Sequence, residues 1–168
     1  HVGRFMKQKN HKYLIDIFAE FNNRVPNSYL LLLGTGELED EIHHYVNDRG
    51  LSDRIIFTGS VANVEDFYSA MDVFVLPSLY EGFPVVSIEV QAAGLPLYAS
   101  DNIDRSIDVA QGAHFLSAKE EPLHWANEIL KEGVSTRYLK NIEALRAACY
   151  DINIEAPSLE NLYRNMDC

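Results

Sequence analysis

The sequence predicts an α/β domain: a doubly wound, mostly parallel six-stranded sheet with helices on both faces. Three observations predict it. Short apolar runs rich in branched and aromatic residues alternate about six times with segments whose apolar residues recur at helical spacing. The clearest run, Ser28 to Leu33, is nearly apolar throughout, as a strand covered on both faces must be. Glycine, proline and polar clusters punctuate the joins. A chain of 168 residues is long enough to bury roughly 70% of its unfolded surface in one unit. Residues 1–168 therefore read as a single Rossmann-like domain.

In order, His1 to Phe5 reads as the end of a strand, and Met6 to Asn10 as a polar loop flanked by Arg4 and Lys9. Tyr13, Leu14, Ile17, Phe18 and Phe21 mark a helix from His11 to Asn23. Pro26-Asn27 turns the chain into the Ser28–Leu33 strand. Gly34-Thr35-Gly36 resembles half of a dinucleotide fingerprint, but Glu39 holds the third glycine's place. It reads as a tight turn, lining a cleft, into a helix from Glu37 to Asp48 whose acidic first turns suit the helix dipole. The adjacent His43 and His44 point to different sides and do not pair for a metal. Arg54 to Thr58 is a third strand, Gly59-Ser60-Val61 a loop, and Val64 to Met71 a short helix. Asp72 to Leu76 is a fourth strand; Pro84 opens a helix from Val85 to Ala93, and Gly94-Leu95-Pro96 stops it. Leu97–Ser100 and Ala113–Leu116 complete the strands, with an irregular loop from Asp101 to Asp108 between them. Helices follow from Glu121 to Lys131, with Trp125 and Ile129 inward, and from Arg137 to Tyr150, with Leu145 and Ala148 inward. A last helix starts near Ala156-Pro157-Ser158-Leu159.

The net charge of −11 argues against nucleic acid and anionic lipid as partners of this domain. Cys149 and Cys168 form no framework of bridges and no metal spacing, which suits a reducing cytoplasm. No apolar run approaches the ~20 residues of a membrane helix, so membrane contact through this domain is not expected.

The chemistry concentrates between Leu76 and Glu89, where a strand runs through a loop into a helix. Ligands of open α/β sheets bind at the carboxyl ends of the strands. Gly82 permits close backbone approach, and the amides of Gly82, Phe83, Val85 and Val86 lie near a helix start with few internal partners. Together with the dipole they suit a phosphate. Arg4 and Lys9 occupy another loop on the same side, one a rigid fork and the other a mobile point charge for phosphate oxygens. Glu81 and Glu89 would repel that anion unless they face hydroxyl groups, which donate to ionised carboxylates. A ligand with a charged centre and hydroxyl-rich ends, a nucleotide diphosphate sugar, satisfies both demands.

Glu81-Gly82-Phe83-Pro84, Glu89 and Ala92-Ala93-Gly94-Leu95-Pro96 resemble the Glu-x7-Glu motif of retaining GT-B glycosyltransferases, in particular glycosyltransferase family 4, the glycosyl transferases group 1 domain. Val2-Gly3-Arg4-Phe5 with Lys9 and Asn10 is similar to that family's Gly-Arg…Lys-Gly phosphate segment, with Asn10 in place of the glycine. Phe57 to Val61 and Tyr68 to Ser78 also match its pattern, so the resemblance covers residues 1 to about 100. It implies a cytoplasmic hexosyltransferase, working at the inner face of the plasma membrane, that uses a nucleotide-sugar donor, UDP by default. In bacterial capsule and exopolysaccharide enzymes of this type the acceptor is a glycan or lipid-linked glycan. By the resemblance Gly3, Arg4 and Lys9 hold phosphate and backbone at Ser60 and Val61 holds the base. Glu81 holds a sugar hydroxyl, Glu89 the ribose, and Gly82, Phe83, Pro84, Val85 and Val86 frame the diphosphate. Glu81, Arg4 and Lys9 are the catalytic candidates. No metal and no cofactor are expected, the nucleotide-sugar being the substrate. An amino-terminal acceptor domain is expected before His1, without which this piece binds donor but transfers nothing. The alternatives are half of a GT-B nucleotide-sugar epimerase, a non-catalytic nucleotide-binding module, a receiver-like domain, and a glycosidase using Glu81 and Glu89 as its carboxylate pair.

Overall fold

The computed structural model describes residues 1–132, 138 and 141–166. Five strands alternate with helices: α1 (His11–Asn22), β1 (Leu30–Leu33), α2 (Glu39–Asp48), β2 (Ile55–Gly59), α3 (Val64–Ala70), β3 (Phe74–Leu76), α4 (Val85–Ala92), β4 (Leu97–Ser100), β5 (Ala113–Leu116), α5 (Pro122–Glu132), α6 (Asn141–Ala147) and α7 (Ile152–Met166). All strand pairs are parallel, in the orders β1-β2 and β3-β4-β5.

The expected sixth strand, His1 to Phe5, is not one. It makes a single parallel bridge, Val2 to Leu33, and reaches β3 through a side chain, His1 Nδ1 lying 2.8 Å from the Val75 carbonyl. The segment thus lies between the two sheets without completing a ladder to either.

Strand periodicity explains the double winding. Leu97 and Ala99 of β4 enter a core with Tyr68 of α3 and Val90 of α4. Tyr98, between them, enters a core with Trp125 and Ile129 of α5 and Ile17 and Phe21 of α1. A third core joins Leu14 and Phe18 of α1, Ile42 and Val46 of α2, Leu32 and Ile55. Helices α3 and α4 cover one face, and α1, α2 and α5 the other.

Two expectations at the carboxyl end are corrected. The helix expected to start near Ala156 begins at Ile152, with Pro157 inside it. Asp151 anchors the start: its carbonyl accepts from the Ile154 and Glu155 amides, and its carboxylate from the Asn153 amide at 3.1 Å. An acidic residue at a helix start is a stronger signal than the proline, which tolerates only the first turn well. Ala148 is exposed and lies beyond α6, while Leu145 is buried as expected. Cys168 and the start of the helix expected from Arg137 lie outside the described residues.

Beneath the first loop sits a buried histidine, His11. Its ring stacks on Phe5 with centroids 4.3 Å apart, and neither ring nitrogen has a hydrogen-bond partner among the described residues. Burial first, and then the charge of Lys9, lower its pKa from 6.5 to about 4. Below pH 6.5 the unfolded chain therefore takes up a proton that the folded chain refuses until about pH 4. Stability is lost across that window as pH falls. The expected result is that the difference in unfolding midpoint between His11→Phe and wild type is the same at pH 7 and 8, and shifts steadily in favour of His11→Phe between pH 6.5 and 4. Parallel curves in denaturant titrations would contradict it.

Candidate functional site

The carboxyl ends of the strands surround a cleft of about 590 Å³ lined by Val2, Gly3 and Arg4, by Leu33 to Gly36 after β1, by Ser60 and Val61 after β2, by Val64, and by Glu89 of α4. Its floor is backbone against backbone. Gly34 has φ +131°, and a Cβ there would lie 2.2 Å from the Gly3 carbonyl oxygen; one on Gly36 would lie 2.4 Å from that of Phe5. The Gly3 amide donates to Leu33 and the Phe5 amide to Thr35, at 2.9 and 3.0 Å. The Gly-Thr-Gly turn therefore does line the cleft. Its two glycines let the Arg4 segment lie directly on it.

Lys9 reaches its place through a left-handed residue. Asn10 has φ 57°, a conformation Asn tolerates better than other side-chain-bearing residues, and its Nδ2 donates to the Pro77 carbonyl at 3.2 Å. The Leu79 amide donates to the Gln8 carbonyl at 2.8 Å. The loop before α1 is thus pinned to the loop after β3, and two side chains converge on Glu81. Lys9 Nζ is 2.7 Å from its Oε1, and Gln8 Nε2 donates to its Oε2 at 2.9 Å. The Lys9 and Glu81 side chains are only 15% and 7% exposed. Nζ carries three protons and this pairing uses one of them.

Glu89 sits one turn into α4 on the cleft wall, exposed, its Oε2 accepting from the Tyr68 hydroxyl at 2.7 Å. Burial, then the bond to Glu89 and its charge, raise the Tyr68 pKa, so the hydroxyl remains a donor. Arg4 is exposed at the cleft mouth.

The structure brings Gly3, Arg4, Ser60, Val61 and Glu89 into one cleft and locks Lys9 to Glu81 in the loop leading into α4. Gly82, Phe83, Pro84, Val85 and Val86 are not cleft-lining residues. Gly82 and Val85 are exposed and Pro84 buried, while the Val86 side chain packs on the α3–α4 core. The exposed Phe83 ring lies parallel to that of Tyr150, centroids 6.3 Å apart. The protein itself does not demand glycine at 82, since a Cβ there meets nothing within 4 Å. The α4 start carries no side-chain cap, and the Ser87 amide in its first turn donates to the Pro84 carbonyl at 2.9 Å. Sequence reasoning missed Gln8 and Tyr68, each acting on a glutamate more than twenty residues away.

A second hollow of about 490 Å³ opens at the amino ends of the strands, between Leu30 and Val73. Its lining is mostly apolar, with Asp72 and His1 among its ionisable positions. Among the described residues no three His, Cys, Asp or Glu side chains converge as metal ligands. No described helix is long and apolar enough to cross a membrane.

A family model described as "Glycosyl transferases group 1" matches residues 1–131. EpsF of Bacillus subtilis (strain 168), named as a glycosyltransferase, is 34% identical over 166 residues, covering 97% of this chain and 43% of EpsF. The "UDP-Gal:alpha-D-GlcNAc-diphosphoundecaprenol alpha-1,3-galactosyltransferase" of Escherichia coli is 37% identical over 103 residues, covering 60% of this chain and 27% of its own. The pneumococcal O-GlcNAc transferase GtfA, solved with UDP and GlcNAc, superposes with a TM-score of 0.73 at 20% identity, over 99% of this chain and 34% of that one. That last likeness shows a shared GT-B fold. The chain spans less than half the length of each of these proteins.

Proposed function

Since the chain belongs to the glycosyl transferases group 1 family, we propose that it is the donor-binding half of a retaining hexosyltransferase. In this reading it takes a UDP-sugar and serves a polysaccharide or lipid-linked acceptor held by a further domain. The observation that carries the reading is the meeting of Arg4, Ser60, Val61 and Glu89 in one cleft, beside a Lys9–Glu81 pair that opens α4.

In the reaction the bond between the anomeric carbon and the diphosphate breaks, and its electron pair stays on the leaving oxygen. On the same face the acceptor hydroxyl oxygen bonds that carbon and passes its proton to the departing phosphate oxygen. Negative charge grows on the departing phosphate, where Arg4, Lys9 and the first amides of α4 stabilise it; fixed donors of this kind each contribute a few kcal/mol. Glu81, already oriented by Gln8 and Lys9, has lone pairs left for hydroxyls of the donor sugar. Glu89 takes the ribose, and backbone near Ser60 and Val61 the base. Fixed cations fill the place of a metal.

Calorimetric titration tests this. The chain is expected to bind UDP as tightly in EDTA as in magnesium. Binding that requires magnesium would overturn the metal-free mechanism, and no binding of UDP in either buffer would overturn the UDP-donor reading.

A further inference from the structure

Tyr68 is the one buried residue of α3, 2% exposed, with its ring edge-on to Phe74 at 6.1 Å. Its body belongs to the core, yet its hydroxyl leaves the core to reach a carboxylate on the cleft wall. Packing alone would be met by Phe, and a buried hydroxyl adds a desolvation cost that only a partner offsets. The partner is Oε2 of Glu89, an otherwise exposed helical side chain with several free torsions. Holding one oxygen fixes the plane of the carboxylate before any ligand arrives, and leaves Oε1 to turn toward the cleft.

We propose that Tyr68 is a positioning residue that holds Glu89 for the two adjacent hydroxyls of a ribose, so that the pair selects ribonucleotides over deoxyribonucleotides. This rests on the donor-site reading and adds to it a second residue, with a specificity. Preorganisation of this kind improves affinity by removing the ordering cost at binding. It acts only on ligands that bear the diol.

The test compares UDP, 2′-deoxy-UDP and inorganic pyrophosphate on the full chain, as wild type, Tyr68→Phe, Glu89→Ala and the double variant. Tyr68→Phe is expected to weaken UDP about tenfold, the scale of a hydrogen bond to a charged group. It should leave pyrophosphate unchanged, narrow the preference for UDP over 2′-deoxy-UDP, and cost nothing further in the Glu89→Ala background. Equal losses for all three ligands, or a loss that persists without Glu89, would make Tyr68 a packing residue and overturn the inference. So would unchanged binding of UDP by Tyr68→Phe. Failure of wild type to bind UDP or pyrophosphate at all would overturn the donor-site reading itself, and this inference with it.

Discussion

Lys9→Ala is expected to weaken UDP binding by about a hundredfold or more, the scale on which one partner of a desolvated charge pair acts. Two losses add. In the proposed donor site the phosphate loses a cation, and Glu81 is left with its charge and only Gln8 to answer it. Because the Glu81 side chain is only 7% exposed, an unpaired carboxylate there also destabilises the fold, by ~3 kcal/mol. The two effects separate in a double variant. Lys9→Met with Glu81→Gln removes both charges, so denaturant unfolding should recover most of the stability while UDP binding stays lost. If the double variant recovered binding as well, Lys9 would be a structural counter-ion and not a phosphate ligand.

Gly36→Ala is expected to be nearly as damaging by a different route. Its new Cβ would meet the Phe5 backbone at 2.4 to 2.8 Å, and backbone cannot swing aside as a flexible side chain can. The first segment must lift from the turn after β1. That breaks the pair of bonds in which the Phe5 amide donates to Thr35 and the Leu38 amide donates to Phe5. Overpacking of this kind costs about 3 kcal/mol, and the segment that lifts carries Arg4. The expected result is a lower unfolding midpoint together with weaker UDP binding. Gly82→Ala is the control: with nothing within 4 Å of its Cβ, it should leave stability unchanged. Equal midpoints for wild type and Gly36→Ala would show that the floor of the cleft is more compliant than its packing indicates.

The strand–loop–helix that carries Glu81 and Glu89 was legible because its signals are local: an apolar run ending at Leu76, a proline opening α4 and a glycine past its end. Leu97–Ser100 and Ala113–Leu116 were legible for the same reason. The couplings that organise the site were not. Gln8 meets Glu81 across 73 positions and Tyr68 meets Glu89 across 21, and nothing near Gln8 or Tyr68 marks either contact. The contact of Gly34 and Gly36 with the first segment depends on a backbone thirty residues away, so the motif read as a tight turn lining a cleft without showing what packs on it. The first segment misread as a strand for a related reason. Its composition suits a ladder, but only Val2 forms a bridge before the chain turns into the Lys9 loop.

Mapping amide NMR shifts during titration with UDP tests the central claim most directly. The account predicts that the perturbed residues cluster at Gly3-Arg4, Gly34 to Gly36, Ser60-Val61 and the Glu81–Glu89 stretch, on the carboxyl side of the sheets. Perturbations gathered instead around Phe18, Phe21, Tyr29 and Val73, in the apolar hollow at the amino ends, would contradict it.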